Sequence, residues 1–199
     1  MPEMIRILCE GLAIVLFTLI CTRCLCKNMK KRDFRFVPWL PYVLTVCGSA
    51  MLFLLGGLSP WTFCGIAFLF VLLYASVQDH LTHEADDILS VMMLMLAMTN
   101  ISEATVLSQL LGAAIVGGAQ MLIALYGKKR MGIGGADIKL STAAALLLGF
   151  YKGVIGFMLG LLIAVVAQLI ITRRKKEQRT QPFALLPYLS VGLWIGFLI

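Results

Sequence analysis

Long apolar runs, separated by short charged segments, dominate the pattern of hydrophobic and polar positions along the chain. A transmembrane helix needs about 20 apolar residues, because each residue advances the helix by about 1.5 Å. Six runs are that long or nearly so, and they cover residues 7–26, 37–55, 61–78, 104–126, 153–172 and 182–199. The pattern therefore predicts a series of membrane-spanning helices.

Two further apolar runs are short and cover residues 88–100 and 138–150. A helix of about 13 residues reaches only about 20 Å, so neither run crosses the hydrocarbon as a fully lipid-exposed helix. Each short helix either extends into the polar residues before it or stops part-way. We expect an all-α polytopic membrane protein of about eight transmembrane helices, two of them short.

The composition excludes an ordinary soluble protein. Hydrophobic residues make up 60% of the chain, charged residues make up 14%, and the mean hydropathy is +0.94. Soluble domains are about 45–50% apolar and about 25% charged, and a chain of 199 residues has too little interior to hide the excess. Because there is no internal repeat and no linker, we expect residues 1–199 to form a single integral membrane domain.

Most basic residues fall in three clusters beside apolar runs, at 23–35, 128–130 and 173–179. The positive-inside rule places such clusters in the cytoplasm. Eight crossings put all three on that face, and they put Asp79 and Asp137 at the cytoplasmic side of the plasma membrane. The net charge of +7 then faces anionic membrane lipids, and we expect no nucleic-acid partner.

The first concentration of ionisable groups lies between the third long run and the first short one. It comprises Asp79, His80, His83, Glu84, Asp86 and Asp87. An ionisable group at the end of a membrane helix is costly unless it meets water or a partner. For most of this segment the simpler interpretation is a solvated loop, and the H-x-x-H spacing is a weak indication of a metal site.

The second concentration is a glycine-rich segment, residues 131–139, in which Asp137 opens a short apolar helix and Lys139 follows. Asp137 could simply cap that helix. A glycine-rich break beside an acid at membrane depth is tolerated, however, where it lines a polar cavity. We therefore predict that Asp79 and Asp137 face one water-filled cavity, share a proton and hydrolyse a peptide bond.

The cysteines and glycines do not indicate a metal or a nucleotide. Cys21, Cys24 and Cys26 supply one C-x-x-C with an extra thiol, whereas a structural zinc site usually needs four ligands. Buried thiols or a lipidated cysteine are the alternatives. The phosphate-loop pattern is not present, so we expect no cofactor and no metal.

Three segments resemble the type IV prepilin peptidases, membrane aspartyl proteases of the GxGD class (peptidase family A24). The Asp79 segment is similar to the first-aspartate motif of that family, although Asp86 stands where the family has a Pro and Asp87 where it has Asn or Asp. Residues 134–140 resemble G-x-G-D-[VI]-K-L, with Ala136 replacing the second Gly, and residues 181–189 resemble the start of the final helix. The resemblance covers roughly residues 60–199.

The resemblance implies an aspartic endopeptidase that removes the short basic leader of type IV pilin-like precursors at the cytoplasmic membrane face. Asp79 and Asp137 would be catalytic, and the supporting residues would be Gly134, Gly135, Ala136, Lys139, Asp86 and Asp87. Members that also N-methylate their product carry a larger loop with two C-x-x-C pairs. Residues 27–36 are short by comparison, so we expect peptidase activity alone.

A small proton- or cation-coupled transporter is the alternative from another functional class. Its intramembrane acids would bind or relay ions, and its short helices would be broken helices. That interpretation explains the acids but not an aspartate that opens a helix after Gly-Gly-Ala with a lysine two residues on. A non-enzymatic assembly factor is a third alternative.

Overall fold

A computed structural model describes residues 2–31, 39–83, 86–99, 106–126, 134–174 and 184–199. These described residues form eight helices, which confirms the all-α prediction for this part of the chain. In chain order they are α1 (Pro2–Lys31), α2 (Leu40–Gly56), α3 (Pro60–Thr82), α4 (Asp87–Thr99), α5 (Val106–Tyr126), α6 (Gly135–Leu148), α7 (Phe150–Arg174) and α8 (Leu186–Leu198). Several predicted features lie outside the described residues, namely Glu84, the basic cluster 128–130, most of the cluster 173–179, and residues 131–133 and 181–183 of two motifs.

Four helices of the described chain are long and apolar enough to cross a membrane. They are Cys9–Met29, Pro60–Thr82, Val106–Tyr126 and Phe150–Arg173. The chain is thus a multi-pass membrane protein, and the full set of eight crossings stays a prediction.

The remaining helices are shorter than a membrane span. Helices α4 and α6, with 13 and 14 residues, correspond to the two predicted short runs. Helices α2 and α8, with 17 and 13 residues, are shorter than their apolar runs. Pro41 and Pro187 lie in their first turns. Backbone N–H groups in the first turn have no partner within the helix, so a proline there costs no hydrogen bond. These prolines explain where α2 and α8 begin.

Helix α5 buries mostly small and polar residues and exposes large apolar ones. On α5 the buried residues are Gln109, Gly112, Val116 and Gln120, which share one face at helical spacing. The exposed large residues of α5 are Leu107, Leu110, Leu111, Ile115, Met121, Leu122, Ile123, Leu125 and Tyr126. A soluble helix shows the opposite arrangement, so this pattern is typical of helices whose solvent is lipid.

The chain divides into two compact units, Met1–Tyr74 and Ala75–Ile199. The first unit joins α1 to α2 through buried hydroxyl groups. Thr22 Oγ1 and Thr45 Oγ1 are 2.8 Å apart, and Ser49 Oγ donates to Thr18 Oγ1 at 3.4 Å. Hydrogen bonds between helices are a typical stabilising contact in membranes. That residues 1–199 form a single domain stays a prediction.

The second unit is packed around a core to which four helices contribute. Val116 of α5, Ala145 of α6, Phe157 of α7 and Leu189 of α8 are all buried in one cluster. Gly149 turns the chain from α6 into α7 with a φ of 80°, a conformation that favours glycine. The cluster and the tight turn hold α6, α7 and α8 within one packed body.

Glycines allow α7 and α8 to pack backbone against backbone. Gly156 and Gly160 of α7 meet Gly192 and Gly196 of α8, and each pair has the G-x-x-x-G spacing. A Cβ added to Gly160 would lie 2.8 Å from the Cα of Leu189. Such close approach strengthens van der Waals contact between membrane helices, and it ties α8 firmly to α7.

We predict that Gly192→Ala destabilises the protein, because the added Cβ would meet the backbone of Gly156 and Gly160. Overpacking of this kind lowers the free energy of unfolding by about 1–3 kcal/mol. Gly118→Ala is the matched control, since a Cβ there meets nothing within 4 Å. Denaturant unfolding in detergent micelles measures both, and equal effects would show that the α7–α8 contact is not tight.

Candidate active site

Asp79 lies in the last turn of α3, and its side chain is only 5% exposed. The backbone N–H of Leu186, the first residue of α8, donates to Asp79 Oδ2 at 2.9 Å. The backbone N–H of Leu185 also bonds to this carboxylate. A buried charge is costly unless it is hydrogen-bonded, and here the start of α8 supplies the partners.

Helix α8 has no side-chain cap of its own, because Leu185 occupies the N-cap position. The first N–H groups of any helix lack partners within that helix. In α8, Pro187 has no N–H, and the N–H of Tyr188 donates to the Leu185 carbonyl at 3.2 Å. The Leu185 and Leu186 N–H groups remain, and both interact with Asp79. Asp79 therefore caps α8 from a different helix.

A second hydrogen bond joins the same two helices. Ser76 Oγ donates to Ser190 Oγ at 2.7 Å. Ser76 precedes Asp79 by about one turn, whereas Ser190 follows Leu186 by about one turn, so α3 and α8 run antiparallel at this point. Two successive contacts thus fix the position of the Asp79 carboxylate against α8.

Asp137 lies in the first turn of α6 and is 8% exposed. Its carboxylate accepts a hydrogen bond from the backbone N–H of Gly134, which occupies the N-cap position of the same helix. This is the reciprocal half of a capping box, in which the third helical residue reaches back to the N-cap N–H. A Cβ on Gly134 would lie 3.2 Å from Asp137 Oδ2, so a glycine there leaves room for the carboxylate.

The two predicted acids interact electrostatically within the second unit. Asp137 lies outside the four membrane-spanning helices. Burial, and after it the charge of Asp79, raise the pKa of Asp137, the Gly134 N–H lowers it, and together they bring this pKa to about 6. Two buried carboxylates that influence each other cannot both ionise easily, so they favour a state that holds one proton. A shared water-filled cavity between them stays a prediction.

Lys139 and Asp87 form an ion pair between α6 and α4, with Lys139 Nζ 2.7 Å from Asp87 Oδ1. Both side chains are well exposed, at 57% and 72%, and exposed pairs of this kind contribute at most about 1 kcal/mol. The Lys139 ammonium therefore contacts the first residue of α4. Gly135 and Ala136 complete the first turn of α6 beside it.

Other predicted residues lie around this pair of acids. His80 and His83 are exposed, Asp86 is half-buried, and the backbone N–H of His83 donates to the Asp79 carbonyl at 2.9 Å. Among the described residues, no three histidines, cysteines or acids come close enough to hold a metal ion. The absence of a metal cofactor nevertheless stays a prediction.

Sequence reasoning missed two buried polar residues beside the site. Ser141, one turn after Asp137, donates to the Asp137 carbonyl at 2.6 Å and lies 2.8 Å from Gln120 Oε1 of α5. Both side chains are fully buried. A glutamine in the middle of an apolar run is costly in a membrane and therefore indicates a packed polar contact. That signal could have identified Gln120.

Comparison with protein families matches residues 66–172 to the type IV leader peptidase family. The match covers more than half of the chain and contains both Asp79 and Asp137. Comparison with curated proteins and with solved structures gives no match.

We predict that Asp79→Asn lowers the pKa of Asp137, because it removes a neighbouring negative charge that raises this pKa. The pKa stays above the ordinary value for aspartate, since the substitution leaves burial in place. Infrared difference titration of the carboxyl band, assigned with Asp137→Asn, measures the shift. Glu10→Gln is the control, because Glu10 is not among the groups that shift Asp137. An unchanged titration in Asp79→Asn would show that the two carboxylates do not interact.

Proposed function

The chain belongs to the type IV leader peptidase family, and we propose that it is an aspartic endopeptidase whose catalytic residues are Asp79 and Asp137. The observation that carries this proposal is the pair of buried, interacting carboxylates. Peptide hydrolysis by two carboxylates needs one group that accepts a proton from water and one that gives a proton to the scissile carbonyl. A pair that retains one proton provides both groups at once.

The proposed substrates are pilin-like precursor proteins with a short basic leader. Membership of a leader peptidase family supports a precursor protein as substrate. In the proposed complex the leader lies in the cytoplasm and the hydrophobic segment after it lies in the membrane. The scissile bond then meets acids at the ends of membrane helices, and Asp79 and Asp137 occupy such helix ends.

We also propose that the site faces the cytoplasm at the plasma membrane. The support is the basic cluster at 23–35, which the positive-inside rule assigns to the cytoplasm. With that cluster inside, α2 leads out and α3 returns, so Asp79 at the end of α3 lies on the cytoplasmic side. Asp137 follows the basic cluster 128–130 on the same side.

The proposed activity is cleavage without N-methylation. The resemblance implies that family members with both activities carry a larger loop after the first helix. In this chain α1 continues to Lys31 and α2 begins at Leu40, which leaves a short connection. A connection of that length supports a peptidase that lacks the second activity.

We predict that Asp79→Asn and Asp137→Asn each reduce cleavage by several orders of magnitude. Asparagine keeps the size of the side chain but cannot titrate, and both groups are needed for proton transfer. The double variant should be little worse than either single one, because residues that act as one unit are non-additive. Cleavage of a pilin-like precursor by purified protein in detergent measures this.

The matched controls are Asp86→Asn and Asp87→Asn, which remove acids of the same segment. Both variants should retain most activity, since Asp87 pairs with Lys139 and is exposed. If Asp79→Asn cleaves normally while Asp87→Asn is inactive, the catalytic acid has been assigned to the wrong end of its segment. Retained helical circular dichroism separates loss of chemistry from loss of fold.

We predict that Lys139→Ala leaves measurable cleavage. Its ammonium pairs with Asp87 at an exposed position, where an ion pair contributes little to stability, and it modulates the site only through longer-range charge. Cleavage rates for this variant should be compared with those for Lys152→Ala, a lysine on α7. Complete loss of cleavage in folded Lys139→Ala would contradict an accessory role.

A further inference from the structure

The two acids of the site have different hydrogen-bond partners. Asp79 accepts the N–H of Leu186 at 2.9 Å and also bonds the N–H of Leu185, and both donors come from α8. Among the described residues, Asp137 has one backbone donor, Gly134, from the start of its own helix. Hydrogen bonds from N–H groups favour the ionised form of a carboxylate over the protonated form. The geometry therefore distinguishes two groups that are chemically identical.

We propose that the N-terminus of α8 holds Asp79 as the charged member of the pair, so that Asp79 is the general base and Asp137 the general acid of the first step. This inference rests on the proposed function. It adds a positioning role for the backbone of Leu185 and Leu186, which bear no functional side chain.

Helix dipoles do not oppose this assignment strongly. Asp79 lies near the negative end of α3 and the positive end of α8, so these two effects act in opposite directions. Asp137 lies at the positive end of α6, which favours its charge. Dipole effects fall off within a turn, whereas the Leu186 N–H is in direct contact with the Asp79 oxygen. The direct donors therefore decide the difference.

The described part of the chain has other titratable groups near Asp79. Asp137 of α6 acts on it across the site, and His80 and His83 lie in its own segment. Tyr188 is the titratable residue of α8. Burial and the charge of Asp79 raise the pKa of Asp137 to about 6, which agrees with a proton held on Asp137 in weakly acidic solution.

The proposed assignment gives a balanced reaction. The Asp79 carboxylate takes a proton from water as the water oxygen bonds to the scissile carbonyl carbon. The carbonyl oxygen takes the proton of Asp137, which produces a neutral gem-diol, a protonated Asp79 and a charged Asp137. When the C–N bond breaks, Asp79 gives its proton to the leaving nitrogen, and a gem-diol hydroxyl gives its proton to Asp137. Both acids then return to their starting states.

The test removes one donor and leaves every side chain in place. Cell-free synthesis with the α-hydroxy analogue of leucine at position 186 replaces the N–H of Leu186 with an ester oxygen. The control is the same replacement at Leu189, whose N–H donates to the Leu185 carbonyl at 3.2 Å within α8. The readout is kcat against pH for cleavage of a synthetic precursor peptide with a basic leader.

The two limbs of this pH profile report different members of the pair. The acidic limb follows formation of the singly protonated pair, and the alkaline limb follows its loss. Asp79 is charged both in the singly protonated pair and in the fully ionised pair, so loss of one donor raises the energy of these two states equally and leaves the alkaline limb in place. Asp79 is uncharged in the doubly protonated pair, so the acidic limb moves. We expect it to move to higher pH by about one unit, equivalent to about a tenfold loss of kcat at the acidic end.

Three results would overturn the proposal. Movement of the alkaline limb alone in the Leu186 ester would show that Asp137 is the charged member. Unmoved limbs, or equal movement in the Leu189 control, would show that the Leu186 contact does not set the charge. If the Leu186 ester does not fold, the ester at Leu185 removes the second donor and is expected to move the same limb. Absence of cleavage by the unmodified protein would instead contradict the proposed function itself.

Discussion

A helix surrounded by lipid gains little from burying its apolar side chains, because hydrocarbon is already its solvent. The contacts that hold such helices together must come from close backbone approach or from polar groups that meet each other. Both kinds occur in this protein. Glycines bring α7 and α8 together, and hydroxyl groups join α1 to α2 and α3 to α8. The polar interior that this constraint produces is also the environment that two buried carboxylates need.

The site is assembled from helix ends rather than from loops. The last turn of α3, the first turn of α6 and the first turn of α8 supply Asp79, Asp137 and the N–H groups of Leu185 and Leu186. Helix ends have unpaired backbone groups, and here those groups bond to carboxylates. The glycine contacts between α7 and α8 lie outside this site, yet they hold the α8 backbone in the position from which it donates. Structural packing and site chemistry are thus linked through one helix.

Much of this arrangement was predictable from local patterns. The apolar runs gave the helices, the two short runs correspond to α4 and α6, and the glycine-rich segment placed Asp137 at a helix start. These features depend on residues close together in sequence. The capping of α8 by Asp79 was not predictable, because Leu186 lies 107 positions away and contributes only its backbone.

The same limit applies to the other contacts that position the site. Ser76 and Ser190 are 114 residues apart, and Gln120 and Ser141 lie on different helices. Whether such side chains meet depends on how each helix is rotated about its axis. The faces of a lipid-exposed helix differ little in hydrophobicity, so its rotation is hard to predict from sequence. Each of these helices has apolar residues on all of its faces, so the sequence alone carries little information about which polar residues meet.

The capping role of Asp79 has a practical consequence for substrate trapping, in which an inactive enzyme is used to capture its bound precursor. Alanine at position 79 would leave the N–H groups of Leu185 and Leu186 buried without an acceptor, and the start of α8 would have to move or take up water. Asparagine retains an oxygen that can accept from them. The start of α8 would therefore differ between the two variants, and under the proposed function only the asparagine variant would keep the arrangement of the productive complex.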